Sequence, residues 1–413
     1  MNRTNEQQLE QHGRFKEHGR WRALVLLALA ELLGMSLWFS AAAVVPVLQD
    51  KWKLDTAHAG WLTLAVQLGF VAGTLLSALV NLPDVINSRY LFAIAALLGA
   101  LTNTLFAVYA HDLQTAVAWR FLTGACLAGV YPPGMKIMAT WFRRGRGMAL
   151  GVLVGALTLG KASPYLVNAI GSADWHYNMY AISALAVGGG LIVFLFVGDG
   201  LYAQPTAPFD FAQVANVFRN RGVRLANFGY FGHMWELYAM WTWTPVMLRA
   251  SLQGHDPVLA EVFAFLVIGA GAVGCVAGGL LADRVGRTLV TSWAMGLSGA
   301  CCIVVGFLFY APPVLLLTVM LIWGASVVAD SAQFSGCVTE LGDPKYIGTA
   351  LTMQTCLGFL LTTVSIKLIP VLVARIGWRY AFAALAPGPL FGIYSMLRLR
   401  RLPEAAKIAQ GRR

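Results

Sequence analysis

The sequence predicts an all-α membrane protein with twelve transmembrane helices in two parallel six-helix halves. Three observations lead there. Hydrophobic residues make up 58% of the 413 and charged ones only 12%, with mean hydropathy +0.65, where a soluble domain carries roughly a quarter charged residues. Apolar runs recur along nearly the whole chain, each long enough at about 1.5 Å per residue to cross about 30 Å of hydrocarbon. The 30 Lys and Arg, against 19 Asp and Glu, lie almost entirely between those runs. That is the charge pattern of a bilayer protein with its basic loops on one side, not of nucleic-acid binding.

The polar stretch 1–20, with Arg3, Arg14, Lys16 and Arg20, lacks a short apolar core with a small-residue cleavage site and reads as a cytoplasmic tail. Six apolar runs follow, at 21–48, 59–82, 90–110, 113–138, 147–170 and 177–197. They make an N-terminal bundle over 21–198. Residues 199–221, with Pro205, Pro208 and Asp210, read as a cytoplasmic linker. Six more runs, at 222–248, 257–281, 289–310, 313–338, 346–372 and 380–397, make a C-terminal bundle over 222–397, and 398–413 is a second cytoplasmic tail. With both termini inside, 22 of the 30 basic residues fall on the cytoplasmic side and five outside (Lys51, Lys53, Arg249, Arg375, Arg379), with Arg120, Lys161 and Lys367 within spans. An odd number of spans would put Arg143-Arg144-Arg146 or the Arg398, Arg400, Arg401 cluster outside, so twelve is the count that agrees with the charge bias.

An offset of 201 residues brings Gly73 onto Gly274, Phe106 onto Phe307, Tyr109-Ala110 onto Tyr310-Ala311 and Gly147-x-Ala149-Leu150 onto Gly348-x-Ala350-Leu351; a shift of 203 places Trp175-x-Tyr177 on Trp378-x-Tyr380. The chain reads as a duplicated six-helix unit. An even number of spans per copy makes the halves parallel, an arrangement suited to alternating access with a site between them. The six cysteines (Cys126, Cys275, Cys301, Cys302, Cys337, Cys356) sit in apolar runs without metal-ligand spacing, so they read as small buried residues, with no metal and no cofactor. There is no G-x-x-x-x-G-K-[ST] loop, no H-E-x-x-H and no nucleophile–base pair, so the sequence does not read as an ATP-driven pump or an enzyme.

The loop after the eighth run, Gly278-Gly279-Leu280-Leu281-Ala282-Asp283-Arg284-Val285-Gly286-Arg287, resembles the G-x-L-A-D-R-x-G-R loop of the major facilitator superfamily. Arg120-x-x-x-Gly124 with Gly129, Arg146-Gly147-x-Ala149-x-Gly151 and the two Trp-x-Tyr elements are similar to further elements of that family. The first-half loop departs from the pattern, with Asn81 near the usual Asp and Pro83-Asp84 in a longer turn. The resemblance implies a secondary carrier, a small-molecule substrate and a functional monomer. It also implies a conformational loop in which Asp283 meets the positive N-terminal end of a neighbouring helix, while Arg284 and Arg287 pair with acidic or lipid groups. Arginines in spans two and eight, the P-E-S-P-R sequence of sugar porters and the G-P-x-x-G-G ending of drug antiporters are absent.

A charge at mid-bilayer costs about 2.5–3.5 kcal/mol or more, so each needs a reason. Glu31, His233 and Glu236 fall near the midplane, Arg120 in the outer third of span four, Asp330 in the inner half of span ten and Lys161 just outside the middle of span five. Spans one, four, seven and ten line the central cavity in the family, and each carries one of these groups. The expectation is therefore a substrate site of Arg120, Lys161, Tyr230, Trp235, Tyr238 and Asp330, with Glu31, His233 and Glu236 handling protons. The competing reading makes some of them structural ion pairs, for instance Glu31 with Arg120. Lys367 reads as a snorkelling cation, Trp241 and Trp243 as interface anchors, and Gln67, Asn103, Tyr131, Gln333 and Gln354 as polar groups that could equally be interhelical ties. The function expected is proton-coupled uptake of a small organic anion or zwitterion across the cell's inner membrane. A proton-coupled exporter of lipophilic cations or drugs is the alternative.

Overall fold

A computed structural model describes residues 3–142, 145–170, 174–200, 202, 210, 218–343 and 347–413. Most of the linker expected over 199–221, and Arg143 and Arg144 of the basic loop, lie outside the described residues. The described residues are helical with no strand. Nine helical stretches among them are long and apolar enough to cross a membrane. The other three spans are the first and fourth, which are interrupted, and the seventh, Arg221–Ser251, which carries buried polar side chains.

The twelve spans follow the sequence order. Span 1 is Arg3–Met35 continued by Ser40–Ala43 and Val45–Trp52, span 2 Thr56–Leu79, span 3 Ser88–Tyr109, and span 4 Leu113–Leu127 with Tyr131–Trp141. Spans 5 and 6 are Arg146–Ile170 and Trp175–Phe196. In the second half, span 7 is Arg221–Ser251, span 8 Pro257–Val285, span 9 Arg287–Val305, and span 10 Pro313–Ala329 with Ser331–Leu341. Span 11 is Ile347–Ile376, and span 12 runs from Trp378 through a 3-10 turn to Pro387–Arg400. The 201-residue offset reappears in the helix starts: Thr56 and Pro257 are that far apart, and so are Arg146 and Ile347.

Three spans break where the sequence reads as continuous. In span 4 the cause is local: Pro132 and Pro133 cannot donate to the preceding turn, so the helix ends at Leu127 and restarts at Tyr131. Span 10 breaks at Asp330, which is Gly129 plus the offset of 201, so the copies share the interruption although only one carries the prolines. Span 1 breaks at 36–39, and Pro46 stands in the first turn of the segment resuming at Val45.

Within each half, glycines let spans approach at backbone distance. A Cβ on Gly124 of span 4 would lie 2.0 Å from the Val66 carbonyl oxygen of span 2, and one on Gly324 of span 10 would lie 1.8 Å from that of Val267 of span 8. Small residues at such crossings let the backbones pack where burial from water supplies no drive. Outside the membrane Asp112 caps span 4; the Thr115 backbone N–H, 2.8 Å from Oδ1, holds this carboxyl below its usual range. The two stretches read as tails are structured, since span 1 is helical from Arg3, and residues 403–411 fold back with Ala405 and Ile408 buried.

The halves meet along two seams. Span 5 runs against span 8 over most of its length: a Cβ on Gly155 would sit 3.0 Å from the Ala272 carbonyl, and one on Gly147 would sit 2.5 Å from Asp283 Oδ1. Span 2 meets span 11 over half its length only. There Thr362 Oγ donates to Gln67 Oε1, the Phe70 and Phe359 rings stand 4.8 Å apart, and Lys367 Nζ lies 4.0 Å over the Trp61 ring. Toward the face carrying the basic loops and both chain ends, these spans part. Thr74 and Ala78 of span 2, with Asn81 just past its end, then line one wall of a cavity of about 450 Å³, with Gly348, Leu351 and Thr355 of span 11 on another. The molecule is open at this basic face and closed at the opposite one.

Candidate substrate site

Lys161 projects from the middle of span 5 between the halves, and its side chain is buried. The ammonium stands 4.0 Å from the centroid of Trp38, 4.7 Å from Tyr238 and 5.2 Å from Trp241, and Nζ donates to Tyr238 Oη. Three aromatic faces and a phenol therefore replace its hydration, the arrangement in which cation–π attraction is strongest because water is excluded. Trp38 comes from span 1, just past the end of its long helix at Met35, and Tyr238 and Trp241 come from span 7. The box thus spans both halves. Trp241, read from the sequence as an interface anchor, is 1% exposed in this box.

The Lys161 chamber is narrow, about 30 Å³, and has Tyr131, Tyr230, Ser331 and Phe359 on its walls. Tyr131 also lines the large cavity, so the chamber adjoins that cavity across the Tyr131 side chain. Its other side is closed by Phe70, Phe359 and the box itself.

Glu31 of span 1 is fully buried, and neither carboxylate oxygen has a hydrogen-bond partner among the described residues. It lies against Gly134, where an added Cβ would stand 2.5 Å from Oε2, and within electrostatic reach of Lys161 and Tyr131. It does not pair with Arg120. That guanidinium is also fully buried, but it turns to the break in span 1, donating to the carbonyls of Leu37 (3.0 Å) and Trp38 (2.6 Å), to Ser40 Oγ (2.9 Å) and to Asn103 Oδ1 (3.3 Å). Arg120 thus satisfies the Trp38 carbonyl that the broken helix leaves free, shares the Leu37 carbonyl with Ser40, and faces neither the chamber nor the large cavity. The expectation that it reads substrate gives way to this positioning role for Trp38.

The C-half groups divide similarly. Tyr230 and Tyr238 face the chamber. Trp235 turns away, with Nε1 donating to the Ala384 carbonyl of span 12 at 3.2 Å and its ring against Gly388. Glu236 points into the half, where its carboxylate accepts from Ser298 Oγ (2.9 Å), Cys302 Sγ (2.9 Å) and Trp323 Nε1 (2.6 Å). His233 Nδ1 stands 2.9 Å from Asp330 Oδ1, tying span 7 to the break of span 10, with both side chains 1% exposed. Asp330 therefore faces His233 and lines neither cavity, although neither of its oxygens accepts a hydrogen bond from a described residue.

Because Glu236 accepts three donors, its loss and its neutralisation differ in effect. Glu236→Gln keeps an acceptor for Trp323 and is expected to cost about 1 kcal/mol or less, whereas Glu236→Leu orphans Trp323 Nε1 and is expected to cost about 3 kcal/mol. Thermal unfolding in detergent checks the order, and equal losses in the two variants would overturn it.

The loop after span 8 lies at the seam between the halves. The Asp283 carboxylate abuts Gly147 at the start of span 5, where the backbone N–H groups and dipole of the helix favour an anion. Arg284 is exposed, while Arg287 donates to Glu340 at 2.8 and 3.1 Å and to Gln333 at 2.6 Å on the wall of the large cavity. The sequence missed Trp38, Phe70, Phe359 and Glu340. Only the repeat position of span 11 against span 5 pointed toward Thr362, which stands 201 residues after Lys161.

A bundle of twelve spans in two repeated halves, with a cavity between them open to one face, defines a membrane carrier. The profile of the Major Facilitator Superfamily matches residues 27–366, and the chain belongs to that family: it is a multi-pass secondary transporter and not an enzyme. Among curated proteins it is similar to a probable sulfoacetate transporter of Cupriavidus necator, 23% identical over 59% of this chain and 60% of that protein. It is also similar to the hexuronate transporter of Escherichia coli, 22% identical over 95% of this chain and 96% of that one. A proton:xylose symporter shares its fold with a TM-score of 0.73 at 14% identity, over 93% of this chain and 96% of that one. So does a nucleoside transporter, with a TM-score of 0.69 at 15% identity over 91% and 99%.

Proposed function

We propose that this chain is an inner-membrane, proton-coupled importer of a small organic anion, working as a monomer with both termini in the cytoplasm. The basic face is then the cytoplasmic one, by the distribution of Lys and Arg, and the structure described is the inward-open state. The observation that carries the reading is Lys161: a buried cation beside the cavity, shared between the halves, with no carboxylate among the described residues bonded to it. An anionic group reaching the chamber gains a charge-assisted hydrogen bond in a site without bulk water, where such bonds are strongest. The names of the two curated relatives, which concern a sulfonated carboxylate and sugar acids, support the same substrate class.

Glu31 is the proton carrier in this reading. A carboxyl group without donors, near the cation that holds the substrate, is the place where a proton taken up with the anion keeps the site's charge balanced. Glu236, with three donors fixed on it, is a structural acceptor. Export of lipophilic cations fits less well, because the aromatic box such a cation would occupy already holds the Lys161 ammonium.

The test uses the purified protein in oriented liposomes with a trapped pH dye. External sulfoacetate or glucuronate is expected to acidify the lumen. Glu31→Gln is expected to keep anion exchange while losing acidification, and Glu236→Gln is expected to retain it. Alkalinisation on adding a lipophilic cation, with no response to either anion, would replace this reading by the exporter.

A further inference from the structure

On the closed side of the aromatic box lies a second small cavity, about 30 Å³, between span 7 and the ends of spans 1, 2 and 5. Its polar lining is Gln49, Thr63, Tyr165, Thr242 and Arg249, and no carboxylate is among the described residues on its wall. The Tyr165 hydroxyl is fully buried and has no hydrogen-bond partner among the described residues. Arg249, at the end of span 7, donates through Nε (3.0 Å) and Nη2 to the same oxygen of Glu261 on span 8. Nη2 also reaches across to the other half, 3.5 Å from the carbonyl of Ala43 at the broken end of span 1, which Asn168 of span 5 holds from its own side at 3.2 Å. Nη1 donates to no described residue. Glu261 Oε2, in turn, is buried without a donor among the described residues.

We propose that Arg249 and Tyr165 form an outer anion site at which the substrate's acidic group binds before it reaches Lys161, and that Arg249, still held by Glu261, exchanges Ala43 for that group as this face opens. The proposal rests on the uptake reading above and names where its substrate first binds. The physical case is the state of the groups. When the halves part on this face, the bond from Arg249 to Ala43 is necessarily lost. The arginine then keeps a partner that uses one of its two oxygens, while a planar fork suited to a carboxylate or sulfonate becomes free. Tyr165 supplies a neutral donor one wall away, on the half opposite Arg249, so an anion held by both bridges the halves at the mouth. With the face closed, the cavity holds about one water and no organic anion. The site therefore exists only in the state that admits substrate from this side. That explains an arginine tied both to a carboxylate of its own half and to a backbone carbonyl of the other.

The proposal predicts a one-sided effect. In oriented liposomes, Arg249→Gln is expected to raise the KM for anion entry from this face at least tenfold, with the KM from the basic face changed less than twofold; Tyr165→Phe is expected to raise the first about threefold. A group needed only for folding or at the central chamber would shift both. The companion measurement needs no transport: phenylglyoxal labelling of Arg249, read by peptide mass spectrometry, with sulfoacetate, glucuronate, acetate or choline added outside. At least fivefold protection by one of the anions and none by choline is the expected result. Protection without transport keeps the outer site and removes the uptake reading. Protection by no anion, or equal KM shifts from both faces, overturns the outer site whatever the fate of Lys161.

Discussion

Lys161→Gln is expected to lower anion uptake about 100-fold while the protein still inserts, folds and binds the membrane as before. The magnitude follows from what the residue supplies. A charge-assisted hydrogen bond in a buried site contributes about 1.5–3 kcal/mol, and about 2.7 kcal/mol corresponds to a factor of 100 in affinity. Glutamine is shorter by one bond and uncharged, so neither the hydrogen bond to Tyr238 nor the attraction to the ring faces survives. Removing the charge should not unfold the site, because Trp38, Tyr238 and Trp241 also pack on each other and on neighbours: Tyr238 stands 5.2 Å from Trp241 and 4.9 Å from Phe359, and Trp38 stands 5.2 Å from Phe70. Stability in detergent is therefore expected to hold or rise, since a buried charge is replaced by a neutral group. Lys161→Arg separates charge from shape. The guanidinium keeps the charge but is too broad for the box, so partial uptake with a raised KM is expected. Measuring initial uptake of the transported anion together with melting temperature decides the matter. Normal uptake in Lys161→Gln would remove the central site from the mechanism.

How much of this was legible beforehand depends on which forces write into the sequence. Span number, order and duplication follow from hydrophobic run length and charge placement, which are one-dimensional properties. They reappear in helices starting 201 residues apart. The direction of a buried side chain does not follow from them. Glu31, Arg120, Glu236 and Asp330 all read as cavity groups because their spans are cavity-lining. A helix has a far side too, and three of the four use it: Arg120 on the break of span 1, Glu236 on spans 9 and 10, Asp330 on His233. Helical periodicity offers no help where the lipid-facing and buried sides are both apolar. The aromatic box was invisible for a related reason. Trp38 gets its position from a backbone break, and breaks in spans 1 and 10 carry no proline at the break itself. Only the span 4 break had a local signal, Pro132-Pro133, and the repeat carried that signal to Asp330 in the other half.

The break in span 1 is also where the largest effect on stability is expected. Residues 36–39 leave the helix inside the membrane, so the Trp38 carbonyl has no described partner but Arg120, and the Leu37 carbonyl has only Ser40 besides; bare backbone groups cost several kcal/mol each in hydrocarbon. Arg120 supplies both, and its own charge is balanced by carbonyl, hydroxyl and amide oxygens, since no described carboxylate bonds to it. Arg120→Gln removes the charge and most of the donors at once. The loss expected is about 4 kcal/mol, lowering the melting temperature in detergent by roughly 8 °C at about 2 °C per kcal/mol for a chain of this size. Arg120→Lys retains a point charge that can reach one carbonyl but not both, so about half the loss is expected. The two variants also separate positioning from substrate binding. A residue that touched the anion would show its effect as a raised KM in the folded Lys variant. A residue that holds the Trp38 segment should leave KM within twofold and lower the melting temperature instead. The opposite split, with KM raised tenfold and the melting temperature unchanged, would return Arg120 to the substrate site and take with it the argument that the broken helix of span 1 is what sets the aromatic box around Lys161.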